Sequence, residues 1–219
     1  VRSRRQRQMC IRDSYLDVPP EINLTRKDVG LPSEGFIFCC FNNTYKLTPA
    51  TFDSWAKILK AVDGSLLIVF ASNEISKANL SKEILKRGVE PSRLIFGASL
   101  ARPEYMARYR VADLFLDTQP YNAGTTASDA LRMGLPMITL MGESYQSRMG
   151  ASILKALNLP ELITNTPEEY ESLAIALANN RDQLKNIKEK LKTNLSSSPL
   201  YDTNLFTMNL ESAFTKMYD

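Results

Sequence analysis

Histidine is absent from all 219 residues, which removes the commonest general base and the commonest metal ligand together. Cysteine is scarce. Cys10, Cys39 and Cys40 form no C-x-x-C pair, and neighbours on a strand point to opposite faces, so neither a disulfide framework nor a zinc site is indicated. No run approaches the roughly 18 apolar residues of a transmembrane helix, and no charged-then-apolar leader opens the chain. A cytoplasmic protein without a membrane partner is expected. Positive charge is also scarcer than the total suggests. The formal charge is +3, but residues 1–14, VRSRRQRQMCIRDS, hold five arginines and one aspartate, which leaves the rest of the chain at about −1. The domain itself is not basic, so nucleic acid is not an expected partner. The tail lacks apolar periodicity and reads as a translated cloning scar, outside fold reasoning.

What is present is enough for one sizeable core, since 44% of the residues are apolar and 23% charged. The chain is organised around residues 114–140, LFLDTQPYNAGTTASDALRMGLPMITL. Leu114–Leu116 is a short apolar strand, and Thr125, Thr126, Ser128 and Asp129 supply helix-capping chemistry ahead of Ala130 and Leu131. Gly134 stands where a left-handed residue would end that helix, Pro136 prevents its continuation, and Met137–Leu140 reads as the next buried strand. A helix start of this kind leaves N–H groups free and carries partial positive charge, which suits a phosphate or diphosphate. Gly124 permits close approach, and Thr125 and Thr126 can donate to phosphate oxygens. The blander alternative is a T-x-x-D capping box from Thr126 to Asp129, a commoner feature than a phosphate site.

Around this unit the same pattern repeats. Residues 15–34, with Pro19, Pro20, Gly30 and Pro32, read as an extended connector containing one short turn. Residues 36–41 form a continuous apolar run typical of a parallel strand covered on both faces. The run opens into Asn42-Asn43-Thr44-Tyr45-Lys46, just where an α/β fold places ligands. Taken alone, Lys46 reads as a solvated lysine. Thr48-Pro49 starts a helix carrying Phe52, Trp55, Ile58, Leu59 and Val62 at helical spacing, with Trp55 as a packing residue. Leu66–Phe70 is a strand, residues 76–87 a helix, and residues 93–96 another strand. Pro103 suits the first turn of a short helix, on which Arg108 taken alone reads as exposed. Beyond Leu140, Ser147-Arg148 opens a helix to about Leu157, and Arg148 is a candidate brace for the preceding loop or for a partner domain. Tyr170, Leu173, Ala174 and Leu177 mark one amphipathic helix. Leu184, Ile187 and Leu191 mark another, with lysines on its solvated face, and Phe206, Leu210, Phe214 and Met217 mark a last one.

The blocks LFLDTQPYNAGTTASDAL, GLP and SRMGAS, with GFIFCCFNNTYKLTPATFDSWAKIL before them, SRLIF between and SSSPLYDTNLFTMNLESAF after them, resemble the C-terminal catalytic half of the O-GlcNAc transferase and SPINDLY-like glycosyltransferases. The resemblance implies an α/β fold with a doubly wound, mostly parallel, Rossmann-like sheet, the second domain of a GT-B type enzyme. Residues 1–14 would then be a non-native tail, 15–35 the connector, 36–200 the UDP-sugar-binding domain and 201–219 a C-terminal helix, partly uncovered here. The implied activity moves a sugar, N-acetylglucosamine by expectation, from a UDP-sugar to Ser or Thr of proteins. Protein acceptors would bind through an upstream Rossmann domain and tetratricopeptide repeats that this chain lacks, so the chain alone is expected to be inactive.

The resemblance also implies site roles. Asn43 and Lys46 fall on positions that contact the UDP phosphates, Asn43 standing where animal members have glutamine. Arg102 matches a lysine near the ribose, Tyr105 a histidine that stacks on uracil, and Arg108 an arginine near the base. Asp129 matches the acceptor for ribose hydroxyls, and Gly124 stands where animal members have histidine, ahead of Thr125 and Thr126. No Asp-x-Asp occurs, so no metal and no other cofactor is expected. Lys46, the helix start and nearby amides are then expected to stabilise the leaving UDP in an inverting transfer, with Lys46 as the catalytic residue. The alternatives are a UDP-binding or interaction module without transferase activity, and another GT-B nucleotide-sugar enzyme.

Overall fold

The computed structural model describes residues 22–218; the Arg-rich tail, Cys10 and the start of the connector lie outside the described residues. Ile37–Cys40 forms the first strand, β1, and all four of its side chains are buried. Cys39 and Cys40 face opposite ways, and both are buried because the strand is covered on both faces. Helix α1, Pro49–Ala61, starts where Thr48 accepts the N–H of Thr51 and a proline occupies the first turn. Strand β2 is Leu66–Phe70. Helix α2 runs over Glu74–Lys86, two residues earlier than its apolar spacing suggests, because Asn73 caps it by accepting the N–H of Ser76 at 2.8 Å.

The remaining elements follow the same alternation. They are β3 (Leu94–Gly97), α3 (Arg102–Ala107), β4 (Leu114–Leu116), α4 (Thr125–Arg132) and β5 (Met137–Leu140), then α5 (Met149–Ala156), β6 (Ile163–Thr164), α6 (Pro167–Asn179), α7 (Arg181–Leu195) and α8 (Thr203–Tyr218). Gly134 ends α4 at φ 78°, a backbone region that a side chain would strain.

All strand pairs are parallel, in the order β3-β2-β1-β4-β5-β6. The chain winds outward from β1 to β3, then crosses back to lay β4 against the other side of β1. Strand order therefore reverses between β1 and β4, and ligands of doubly wound sheets bind beyond the carboxyl ends of the strands at such a point. Trp55, Phe38, Phe115 and Leu131 are fully buried around these strands. Trp55 is a packing residue, as its spacing suggests, with its indole N–H directed at Tyr170 Oη 3.4 Å away.

The described part of the connector is clasped to the sheet. The Arg26 guanidinium donates to Val111 O, Ser33 O, Gly35 O and Asp113 Oδ2, the last at 2.7 Å. Asp113 in turn accepts the N–H of Ile37 at 2.8 Å, so one carboxylate ties the connector to β1. We expect Arg26→Ala to cost about 1–2 kcal/mol, the low end for hydrogen bonds to charged groups because the pair is partly solvated. A urea unfolding midpoint equal to that of the unsubstituted chain would contradict this.

No residue of α8 is buried, and its stripe of Phe206, Leu210, Phe214 and Met217 faces solvent, as expected of a helix left uncovered. Among the described residues, no helix is long and apolar enough to cross a membrane.

Candidate functional site

Two loops meet at the switch point, one leaving β1 at residues 41–46 and one leaving β4 at residues 117–124. Asn42 locks them together: its amide donates to Thr118 Oγ1 at 2.7 Å, and its carbonyl accepts the Thr126 hydroxyl at the start of α4. Lys46 ends a 3-10 turn, Thr44–Lys46, and is only half solvated. Its ammonium donates to Asn122 O at 2.9 Å and lies 4.1 Å from the Tyr121 ring centroid. Reading it in isolation as a solvated lysine is therefore corrected, because a loop 76 residues away closes over it. Burial lowers its pKa from the ordinary lysine value, and the negative charge of Asp117 opposes that shift.

The capping box expected from Thr126 to Asp129 does not form. The N-cap of α4 is Gly124, and no side chain caps the helix. Tertiary partners take the capping groups instead: Thr126 bonds Asn42, Asp129 pairs with Arg102, and the Ser128 hydroxyl is directed at Tyr201 Oη 3.5 Å away. Thr125 is exposed at the same helix start. The consequence is electrostatic, since the first N–H groups of α4 keep their capacity to bind an anion.

Beside this helix start lies a cleft of about 260 Å³ lined by Asn43, Tyr105, Arg108 and Thr126 together with Phe41 and Leu100. Four residues separated by up to 83 positions in sequence share this one volume. Arg108 corrects the reading of an exposed helix arginine: it is buried, its guanidinium lies 3.8 Å from the Phe41 ring centroid and 4.4 Å from that of Tyr105, and it donates to Ala98 O. Its Nε has no hydrogen-bond partner among the described residues. Tyr105 is held by a 2.7 Å hydroxyl contact with Tyr109. Arg102 grips Asp129 with two N–H groups, at 3.0 and 3.2 Å, and joins the short helix α3 to α4. Burial raises the Asp129 pKa, and its hydrogen bonds from Arg102 oppose the rise.

Lys46, Gly124 and Thr125 do not line this cleft. They lie at the same end of the sheet, nearer the 117–124 loop. Arg148 is exposed and braces nothing through its guanidinium among the described contacts. Sequence reasoning missed Asp117, which is buried at the end of β4 and accepts from Thr118 N, Ala123 N and Thr139 Oγ1 at 2.7–2.8 Å. It also passed over Asn42 and Asn122, each of which is a buried junction between the two loops.

Comparison with known proteins gives an independent line. The family described as Glycosyl transferase family 41 matches residues 6–210. A Caenorhabditis elegans protein named UDP-N-acetylglucosamine--peptide N-acetylglucosaminyltransferase is 36% identical over 203 residues, 92% of this chain and 18% of its own length. A Petunia hybrida protein named as a probable enzyme of the same activity, SPINDLY, is 37% identical over 85% of this chain and 20% of its own. The chain thus spans about a fifth of the length of these curated relatives. Among solved structures, a K341M variant of Thermobaculum terrenum O-GlcNAc transferase superposes with a TM-score of 0.80 at 34% identity, over 84% of this chain and 36% of that one. The Anabaena protein HepE, solved with UDP and glucose, shares the fold alone, with a TM-score of 0.60 at 17% identity over 89% of this chain and 51% of its own.

Proposed function

The chain belongs to glycosyl transferase family 41, and on that premise we propose that it is the donor-binding half of an enzyme that transfers N-acetylglucosamine from its UDP-sugar to Ser or Thr of proteins. The fold is that of a GT-B type glycosyltransferase domain, a six-stranded parallel sheet flanked by helices. The observation that carries the reading is the cleft itself, in which Asn43, Tyr105, Arg108 and Thr126 converge beside an uncapped helix start at the switch point.

In this reading Tyr105 and Arg108, already stacked on each other, together form the wall against which the base lies. Asp129, oriented by its two hydrogen bonds from Arg102, accepts from the ribose hydroxyls. The diphosphate lies against the N–H groups of α4, the hydroxyl of Thr125 and Lys46, with Asn43 at its edge, while the Thr126 hydroxyl stays with Asn42. Bond cleavage puts negative charge on the leaving phosphate, and Lys46 with the helix start would stabilise it without a divalent cation. The acceptor hydroxyl attacks from the opposite side of the sugar, which inverts the anomeric centre. Acceptor binding falls to parts of the protein outside this chain.

Calorimetric titration of UDP, UMP and GDP into the 219-residue chain, with and without Mg²⁺, tests this. We expect metal-independent binding that prefers UDP. In Asp129→Asn we expect affinity about tenfold weaker, the loss of one hydrogen bond to a charged group. Equal affinity for GDP, or an Asp129→Asn variant that binds UDP as well as the unsubstituted chain, would count against the assignment.

A further inference from the structure

Behind Lys46 stands a carboxylate that the donor-site reading does not use. Asp117 closes β4, and its Oδ1 gathers the N–H of Thr118 at 2.8 Å, the N–H of Ala123 at 2.7 Å and the Asn42 amide at 3.4 Å. Its Oδ2 accepts the Thr139 hydroxyl at 2.7 Å. The first two contacts bend residues 118–123 into a closed loop around one oxygen atom. That loop then presents the Asn122 carbonyl to Lys46 Nζ, while the Asn122 side chain returns to Thr118 O at 2.8 Å and accepts Gly150 N at 3.4 Å. Among the described residues Lys46 forms no ion pair with a carboxylate; the carboxylate whose charge acts on it is Asp117.

We propose that Asp117 is the positioning residue for Lys46: it shapes the loop whose carbonyl receives the ammonium, and it supplies the buried negative charge that the ammonium faces. The significance for transfer rests on the donor-site reading of Lys46, but the coupling of the two side chains does not. A neutral group at position 117 would keep the loop's shape in part and lose the charge. A cavity of about 50 Å³, lined by Asp117, Thr51, Ser54 and Gln119 along with the apolar Leu140 and Pro167, adjoins the carboxyl and has room for a water molecule beside it.

Titration supports the geometry. Burial pushes the Asp117 carboxyl up to about 6, against the pull of its hydrogen bonds and of Lys46. The titratable groups facing it are Lys46 beyond β1, Cys40 on β1, and Tyr170 on α6, whose hydroxyl donates to Asp117 O at 3.0 Å. Burial raises both Cys40 and Tyr170, so both stay neutral where Asp117 titrates. Asp117 is therefore the group of this cluster that changes charge near neutral pH.

The test is an NMR titration of the Lys46 side-chain carbon next to the ammonium, assigned by its disappearance in Lys46→Met. We expect the Lys46 midpoint to lie lower in Asp117→Asn than in the unsubstituted chain, because the stabilising negative charge is gone. An unchanged or higher midpoint would overturn the proposal. If Asp117→Asn does not fold, the unsubstituted chain decides alone: the Asp117 carboxyl carbon and the Lys46 signal should share an inflection near about 6, and curves without a common inflection overturn it. UDP binding to Lys46→Met separates this from the donor-site reading. Unchanged UDP affinity there would remove Lys46 as a contact of the bound diphosphate while leaving the measured Asp117 coupling intact.

Discussion

Methionine in place of Lys46 is expected to lower sugar transfer by the complete enzyme about 10²–10³-fold, the loss found when one preorganised donor to a developing anion is removed. Methionine keeps most of the apolar stem and removes the ammonium, which stands 4.1 Å from the Tyr121 ring centroid. Packing is thus largely retained and the charge alone is lost. The leaving diphosphate would then face only the N–H groups of α4, the Thr125 hydroxyl and Asn43, dipoles worth less than a full charge in a site of low dielectric. Because the charge on the leaving group grows as the bond breaks, turnover should fall more than donor affinity, which separates this residue from one that merely binds. Activity should also fail on the alkaline side below the ordinary lysine range, since burial lowers the pKa of Lys46 and the protonated form is the active one. A Lys46→Met enzyme with unaltered turnover would remove the residue from the mechanism.

Much of this architecture can be read from the chain because β1 to β5 are largely apolar runs ended by polar or Gly/Pro residues and several helices announce their own starts, whereas β6, the two residues Ile163–Thr164, carries no such signal. Thr48, Thr166 and Asn180 all cap the helices that follow them. The site was less legible, and for one physical reason: its side chains are occupied by partners remote in sequence. Thr126 looks like half of a local capping box, yet its hydroxyl goes to Asn42, 84 residues away. Arg108 looks solvated on a short helix, yet Phe41 and Tyr105 enclose its guanidinium. The resemblance names both residues as neighbours of a ligand, and both line the cleft, but it says nothing of Asp117. A signal was available there, a lone aspartate ending the otherwise apolar strand LFLD at a position where doubly wound sheets place their chemistry. Its four donors come from three separate segments, so its role as an anchor appears only once β1, β4 and β5 are side by side.

Alanine at Gly150 is the substitution expected to show how tightly that anchor is built. A Cβ there would stand 2.5 Å from Thr139 Oγ1, 2.6 Å from Asp117 Oδ2 and 3.0 Å from Thr139 Cβ. These atoms are not free ends that can swing away, since Thr139 and Asp117 are bonded to each other at 2.7 Å and rooted at β5 and β4. Overpacking of this severity costs about 3 kcal/mol, and the better helix propensity of alanine in α5 returns at most about 1. A net loss of about 2 kcal/mol should lower the thermal midpoint by about 4–8 °C for a domain of this size. Gly124→Ala is the contrast, because its Cβ would meet only Met149 Cγ at 3.8 Å, an ordinary contact, and stability should change by no more than about 0.5 kcal/mol. The side chain at position 150 would also press on the carboxylate that shapes the 118–123 loop, so UDP affinity should weaken in Gly150→Ala even well below its melting temperature. A Gly150→Ala chain with an unchanged midpoint would mean that Asp117 and Thr139 have room to move, and the anchoring of Lys46 through them would lose its rigidity.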